Sequence, residues 1–249
     1  MSAAPDHLTR KQREFRQREQ LILDTAQQLL DALGYAHLTM ERVAESVEYS
    51  KGTIYNHFSS KEDLVCSLCC RCMSGLIDLF RRAASYDGST RERFSAIGIA
   101  YSLHHQLHPL DAQNIQIVKT NGVREKLSEK KQHELTTLEQ QVTGIALDLV
   151  LEAMAEGDIP SNVGTADEIV FGFWSMHYGA LLLAFSDIPL EQLGFSPAIR
   201  LLWRNSQKLL DAFGWRPLSH GSDTDALFEK LCSRLFAEEI CKLNSNPDR

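Results

Sequence analysis

Residues 39–58 read TMERVAESVEYSKGTIYNHF and continue into Ser59-Ser60-Lys61-Glu62, and this stretch decides the fold. Thr39 and Ser50 carry hydroxyls of the kind that accept an orphan backbone N–H at a helix start, and Glu41 puts negative charge near the first helix's positive end. The two caps leave room for about two turns of helix and a short connection. Val43, Ala44 and Val47 form one apolar stripe, and Ile54 with Phe58 forms a second at i and i+4, so the stripes can close on each other. The outer side of the second helix then carries Lys51, Gly52, Thr53, Tyr55, Asn56 and His57. Hydrogen-bond donors, an aromatic hydroxyl and a small residue permitting close backbone approach suit phosphates and base edges. Two short helices about a tight turn predict a helix-turn-helix, with sequence-specific DNA binding as its function.

The run Gly52-Thr53-Ile54-Tyr55-Asn56-His57-Phe58, followed by Ser60-Lys61-Glu62, closely resembles the N-terminal domain of the TetR family of bacterial transcriptional regulators. The resemblance covers roughly residues 18 to 70. It implies a three-helix DNA-binding domain joined to a larger helical domain that dimerises and binds a small effector, which relieves repression. The positions matching the family's DNA contacts are Thr39, Lys51, Gly52, Thr53, Tyr55, Asn56, His57 and Lys61. Tyr55, His57 and Lys61 are then expected on phosphates, and Lys51, Thr53 and Asn56 on bases. Arg42 is a further candidate, or a solvated surface charge. One departure stands out: the family has Ala-Gly-Val in the turn where this chain has Val47-Glu48-Tyr49. A glutamate in a left-handed position costs on the order of 1 kcal/mol, and Glu48 repels DNA if it faces the backbone.

The 249 residues carry a net charge of −7 with 43% hydrophobic content, as expected of a soluble globular protein with room for one small and one larger domain. The acidic balance argues against indiscriminate coating of nucleic acid, so binding depends on local charge. Residues 1–17 are expected as a flexible basic arm, and Arg10, Lys11, Arg13 and Arg16, with Arg18 at its junction with the first helix, follow a phosphate backbone or enter a minor groove, or form a solubilising tail. The polar N-terminus lacks the apolar core of a secretory signal, and the apolar run Ile169 to Phe185 is broken by Gly172, His177 and Gly179, so a cytoplasmic location is expected. There is no G-x-S-x-G, no phosphate-binding glycine loop and no H-E-x-x-H, so no enzyme and no cofactor is expected.

Helical periodicity dominates, giving an all-α fold. The spacing predicts a first long helix ended by Gly34, a long helix from Ser59 or Ser60 to about Arg82, and helices near 90–107, 110–121, 124–156, 165–186, 196–213 and 223–243. Turn residues at Gly157-Asp158-Ile159-Pro160 and at 186–189 separate them. The expected division is a DNA-binding domain at 18–64, an effector and dimerisation domain at 65–243 whose residues 65–82 form the connecting helix, and a tail at 244–249.

Two apolar seams, Leu135-Leu138-Val142-Ile145-Leu149 and Ile199-Leu202-Ser206-Leu209-Phe213, pack within the monomer or against a second copy. The resemblance favours 165–186 and 196–213 for a homodimer, which implies a near-palindromic operator in double-stranded DNA. His104, His105, His108, Trp174, His177, Tyr178 and Trp203 are candidates to line a pocket for an apolar or aromatic effector, or are core. Cys66, Cys69, Cys70 and Cys72 crowd one helix, the first three near one face. The alternative reading is therefore a thiol- or metal-responsive regulator on the same fold, against buried cysteines that serve as small hydrophobes.

Overall fold

A computed structural model describes residues 9–120, 122–184, 190–195 and 198–245. No strand occurs among them, as the helical periodicity requires. The turn expected at 186–189 and the last four residues of the tail lie outside the described residues. The chain forms two compact units, one from the described parts of 1–71 with 113–136, the other from 72–112 with the described parts of 137–249.

In the first unit, α1 spans Arg10–Leu33. Thr9 and Gln12 form a reciprocal capping box: the Gln12 N–H donates to Thr9 Oγ1 at 3.3 Å and the Thr9 N–H to Gln12 Oε1 at 2.8 Å. This cap corrects the expected arm, because Arg10, Lys11, Arg13, Arg16 and Arg18 sit on the first turns of α1 itself. Gly34 closes the helix at φ 74°, its N–H reaching the Leu30 carbonyl at 2.9 Å. Then follow α2, Met40–Ser46, and α3, Lys51–His57. Ile22, Leu23, Ala26, Val43, Ala44, Ile54 and Phe58 are buried among these three helices, the faces the apolar stripes select.

Helix α4, Lys61–Ala84, begins at Ser60, whose Oγ accepts the Asp63 N–H at 3.0 Å. Ser59 instead donates its hydroxyl to the Asp63 carboxylate. The other oxygen of Asp63 accepts the Ser128 N–H at 2.9 Å, and Asn114 donates to Gln27 at 2.6 Å. Those two bonds join residues 113–136 to the first unit by groups more than sixty positions apart, a pairing no local pattern encodes.

The second unit holds α5, Thr90–Leu107, α8, Ala166–Ala184, α9, Ala198–Ala212, α10, Thr224–Leu235, and α11, Ala237–Asn244. Two further helices, α6, Pro109–Thr120, and α7, Glu129–Glu156, divide their residues between the units. The predicted start of α7 at 124 is a separate 3-10 turn, Arg124–Lys126, with Ser128 capping the helix proper. The single helix expected over 223–243 is broken at Phe236, which lies fully buried at φ −130°. There the Arg82 guanidinium takes the Leu235 carbonyl at 2.8 Å and both carboxylate oxygens of Glu239, so a tertiary donor replaces the helical one.

The core is built around Phe94, whose ring centroid lies 4.6 Å from Phe173 and 4.8 Å from Trp215. Helix α8 approaches α5 at Gly98, where a Cβ would fall 2.6 Å from His177 Nε2. Arg91 is buried in this unit and pairs with Asp211 at 2.7 Å, while its guanidinium also donates to the carbonyls of Trp215 and Gln207. Val142, Ile145 and Leu149 pack on this core, as do Ile199 and Leu209, so these parts of both seams are internal. No helix among the described residues is long and apolar enough to cross a membrane.

Candidate functional site

The helix-turn-helix is set by three local devices. Thr39 Oγ1 accepts the Arg42 N–H at 3.2 Å, starting α2, and Ser50 Oγ accepts the Thr53 N–H at 3.1 Å, starting α3. Between them Glu48 stands at φ 56°, the only non-glycine with positive φ among the described residues, and the Tyr49 N–H reaches back to the Ala44 carbonyl at 3.0 Å. The left-handed position expected from the sequence is thus occupied by glutamate, with its side chain exposed.

With Ile54 and Phe58 turned inward, Lys51, Gly52, Tyr55 and Asn56 are exposed on α3, and Tyr55 keeps 48% of its surface. A Cβ at Gly52 would meet only Ser50 Oγ, at 3.8 Å, so the helix start is open to a close-approaching backbone. Exposed Lys51 pairs with half-buried Glu41 at 3.1 Å; a pair so open to solvent contributes little and yields readily to a phosphate or base. Thr53 Oγ1 shares a 2.9 Å hydrogen bond with Ser50 Oγ. Arg42 donates to the His37 carbonyl at 3.2 Å.

Two of the expected phosphate contacts have tertiary partners. The His57 ring stacks on Phe15 of α1 at 3.9 Å with Nδ1 buried and unpartnered, and burial lowers its pKa, so it offers a neutral imidazole. Lys61 Nζ donates to the Tyr35 carbonyl at 3.0 Å and lies 4.1 Å over the Tyr35 ring, which leaves further N–H donors on the ammonium. The Phe15 and Tyr35 supports escaped sequence reading because they come from other helices and turns.

In the second unit a cavity of about 450 Å³ lies among α5, α8, α9 and α11. Tyr101, Ser102, His105 and Gln106 line one side, Ala180, Leu181, Ile199 and Leu202 the apolar side, with His177 and Lys242 completing it. Of the effector candidates the cavity takes His105 and His177, while Tyr101, Ser102 and Lys242 had no sequence signal beyond their chemistry. His177 Nδ1 bonds the Phe173 carbonyl at 2.9 Å, which leaves Nε2 as an acceptor if the proton sits on Nδ1, and burial lowers its pKa to about 4. His105 is buried with both ring nitrogens unpartnered, its pKa lowered by burial to about 3. Unpaired buried nitrogens are costly, and a ligand's donor and acceptor satisfy them.

The other aromatic candidates lie elsewhere. Trp203 is core, its Nε1 donating to the Thr224 carbonyl at 2.9 Å and its ring packed on Phe228. Trp174 is 44% exposed on α8 with Tyr178 beside it, and Phe171 of the same helix is 66% exposed. His108 is exposed, its ring 5.1 Å from His104. His104 bonds Cys72 instead of facing the cavity, at 3.4 Å. The thiols of Cys66, Cys69 and Cys70 are buried in the first unit, and a hydrogen bond with Cys70 together with burial pushes Cys66 far up. Such thiols are poor nucleophiles, so the four-cysteine sensor is not favoured.

Residues 22–68 match the family model described as bacterial regulatory proteins, tetR family. The HTH-type transcriptional regulator TcmR of Streptomyces glaucescens is 39% identical over 54 residues, 22% of this chain and 24% of TcmR, so the match spans about a quarter of that relative's length. Among solved structures, a regulatory protein of the tetR family from Rhodococcus RHA1 superposes with TM-score 0.61 at 18% identity, covering 79% of this chain and 97% of the other. The ketosteroid transcriptional regulator KstR2 of Mycobacterium tuberculosis superposes at 0.58 and 15% identity, covering 78% and 93%. The solved structures show that the fold they share extends over most of the chain, and residues 22–68 match the helix-turn-helix domain of the TetR family of transcriptional regulators.

Proposed function

We propose that this regulator is a homodimeric repressor that reads a near-palindromic operator with α3 and is released by a small apolar or aromatic molecule bound in the cavity. The observation that carries the DNA reading is the exposed face of α3, with Lys51, Gly52, Tyr55 and Asn56 presented on a helix capped by Ser50 and anchored by Ile54. Residues 18–64 are the reading domain and 65–243 the effector and dimerisation domain in this proposal, and its site of action is the cytoplasm. Lys51, Thr53 and Asn56 address base edges; Thr39, Arg42, Tyr55, His57 and Lys61 address phosphates, His57 as a neutral donor.

The outer face of α8 supports the dimer. Phe171, Trp174, Leu182 and Leu183 are exposed there, and a Cβ built at Gly172 or Gly179 meets nothing within 4 Å, so a second helix has room to approach. The cavity supports this effector class, with Leu181, Ile199 and Leu202 suited to an apolar body and His105 to a polar group. Release requires the ligand to favour a dimer conformation whose reading helices are wrongly spaced, through a coupling of about 1–3 kcal/mol.

The test is fluorescence anisotropy with DNA from upstream of the protein's own coding region against scrambled DNA, at two salt concentrations. Tight binding restricted to the upstream DNA and weakened by salt supports the reading. No binding to either DNA at low salt, with thiols reduced, overturns it.

A further inference from the structure

The geometry points to a transition-metal site, of the class that takes Zn²⁺, formed by Cys72, His104 and Asp111. This goes beyond the repressor reading and does not depend on it. Cys72 comes from α4, His104 from α5 and Asp111 from the start of α6, all within the second unit. Sγ, Nε2 and a carboxylate oxygen lie within 4.8 Å of one another, with Sγ to Nε2 at 3.4 Å and Nε2 to Oδ2 at 3.7 Å. Bond lengths of about 2.0–2.3 Å in tetrahedral geometry place neighbouring ligand atoms about 3.3–3.6 Å apart, so the two measured edges already approach that geometry.

A second feature seats the imidazole. Gly75, one turn beyond Cys72 on α4, lies against the His104 ring, and a Cβ there would stand 3.2 Å from Cε1. Glycine therefore lets the ring lie close to the helix that carries the thiol. The donor set is discriminating: sulfur and imidazole disfavour Mg²⁺ and Ca²⁺, and one thiolate with one carboxylate neutralises a divalent ion in a buried place. On binding, the Cys72 thiol transfers its proton to solvent as the sulfur–metal bond forms, and no electron moves. Asp111 keeps 21% side-chain exposure, so water can reach a fourth position.

The probe is Co²⁺ titrated into the full-length, fully reduced protein carrying Cys241→Ser, which removes the exposed thiol. We expect a thiolate-to-cobalt charge-transfer band saturating at one equivalent, bleached by Zn²⁺, with about one proton released per ion at a pH where the thiol is protonated. Cys72→Ser abolishes the band, and Asp111→Asn lowers zinc affinity by at least about tenfold, since losing even an outer partner costs that much. No charge-transfer band, or a band that survives Cys72→Ser, overturns the site. Should Cys72→Ser lose its circular dichroism, the Asp111→Asn measurement decides, and unchanged zinc affinity there overturns the site equally.

Discussion

Replacing Ser50 by alanine tests how α3 is held. Helix α3 has seven residues, about two turns, so its cap is a large share of its local stability. Ser50 Oγ accepts the Thr53 N–H at 3.1 Å and shares a 2.9 Å bond with Thr53 Oγ1. Loss of an N-cap serine costs about 0.5–2 kcal/mol. The Ser50 carbonyl still accepts the same N–H at 2.9 Å, so the donor is not orphaned and the loss falls near the low end, about 0.5–1 kcal/mol. That free energy multiplies the opening constant of α3 by about two to five. Amide hydrogen exchange reads it directly: Ile54, Tyr55 and Asn56 should exchange faster by that factor, whereas Ile97 and Ile99 in α5 should not change. Ser50→Gly should cost only a few tenths of a kcal/mol, because glycine tolerates the cap conformation. Protection in α3 unchanged by Ser50→Ala, or an equal loss in α5, refutes the assignment of Ser50 as a local cap.

Glu48→Gly should raise the urea midpoint by the equivalent of up to about 1 kcal/mol, since relief of the left-handed backbone exceeds the entropy glycine adds to the unfolded chain; a lower midpoint contradicts this. Arg91→Met should cost about 3–5 kcal/mol in urea denaturation, because it strands Asp211 and the Trp215 and Gln207 carbonyls, and a cost below about 1 kcal/mol refutes the buried pair. Burial alone raises the Asp211 pKa, but the Ser219 hydrogen bonds and then the Arg91 guanidinium bring it below its ordinary value. A depressed folded-state pKa gives stability that is complete above the ordinary carboxylate range and is lost as pH falls through the folded value, and Asp211→Asn should flatten that acid slope. In anisotropy, Tyr55→Ala and Lys61→Ala should weaken binding on every DNA, whereas Asn56→Ala should change base preference by about 1–3 kcal/mol; equal losses on all DNAs reject the role given to Asn56.

The helix-turn-helix was legible because its determinants are local. Caps at Thr39 and Ser50, inward stripes at i and i+4, and a left-handed turn at Glu48 all act within a few residues, and each appears in the structure. The start of α1 is set by an equally local device, the Thr9 and Gln12 capping box, which extends the helix through a basic run whose charge reads as an arm. The break at Phe236 had no local sign, since Arg82, more than 150 positions away, takes the Leu235 carbonyl.

By itself the sequence determined the all-helical architecture, the TetR-type helix-turn-helix and the exposed chemistry of α3, because helix periodicity and capping are properties of neighbours along the chain. Tertiary structure alone decided which histidines face a cavity and which face a thiol. His104 and His105 are adjacent on one helix, yet 100° of rotation per residue sends one to Cys72 and the other into the cavity. Cys72, His104 and Asp111 meet only because three helices converge, and side chains supplied by separate elements have no spacing that a linear pattern records.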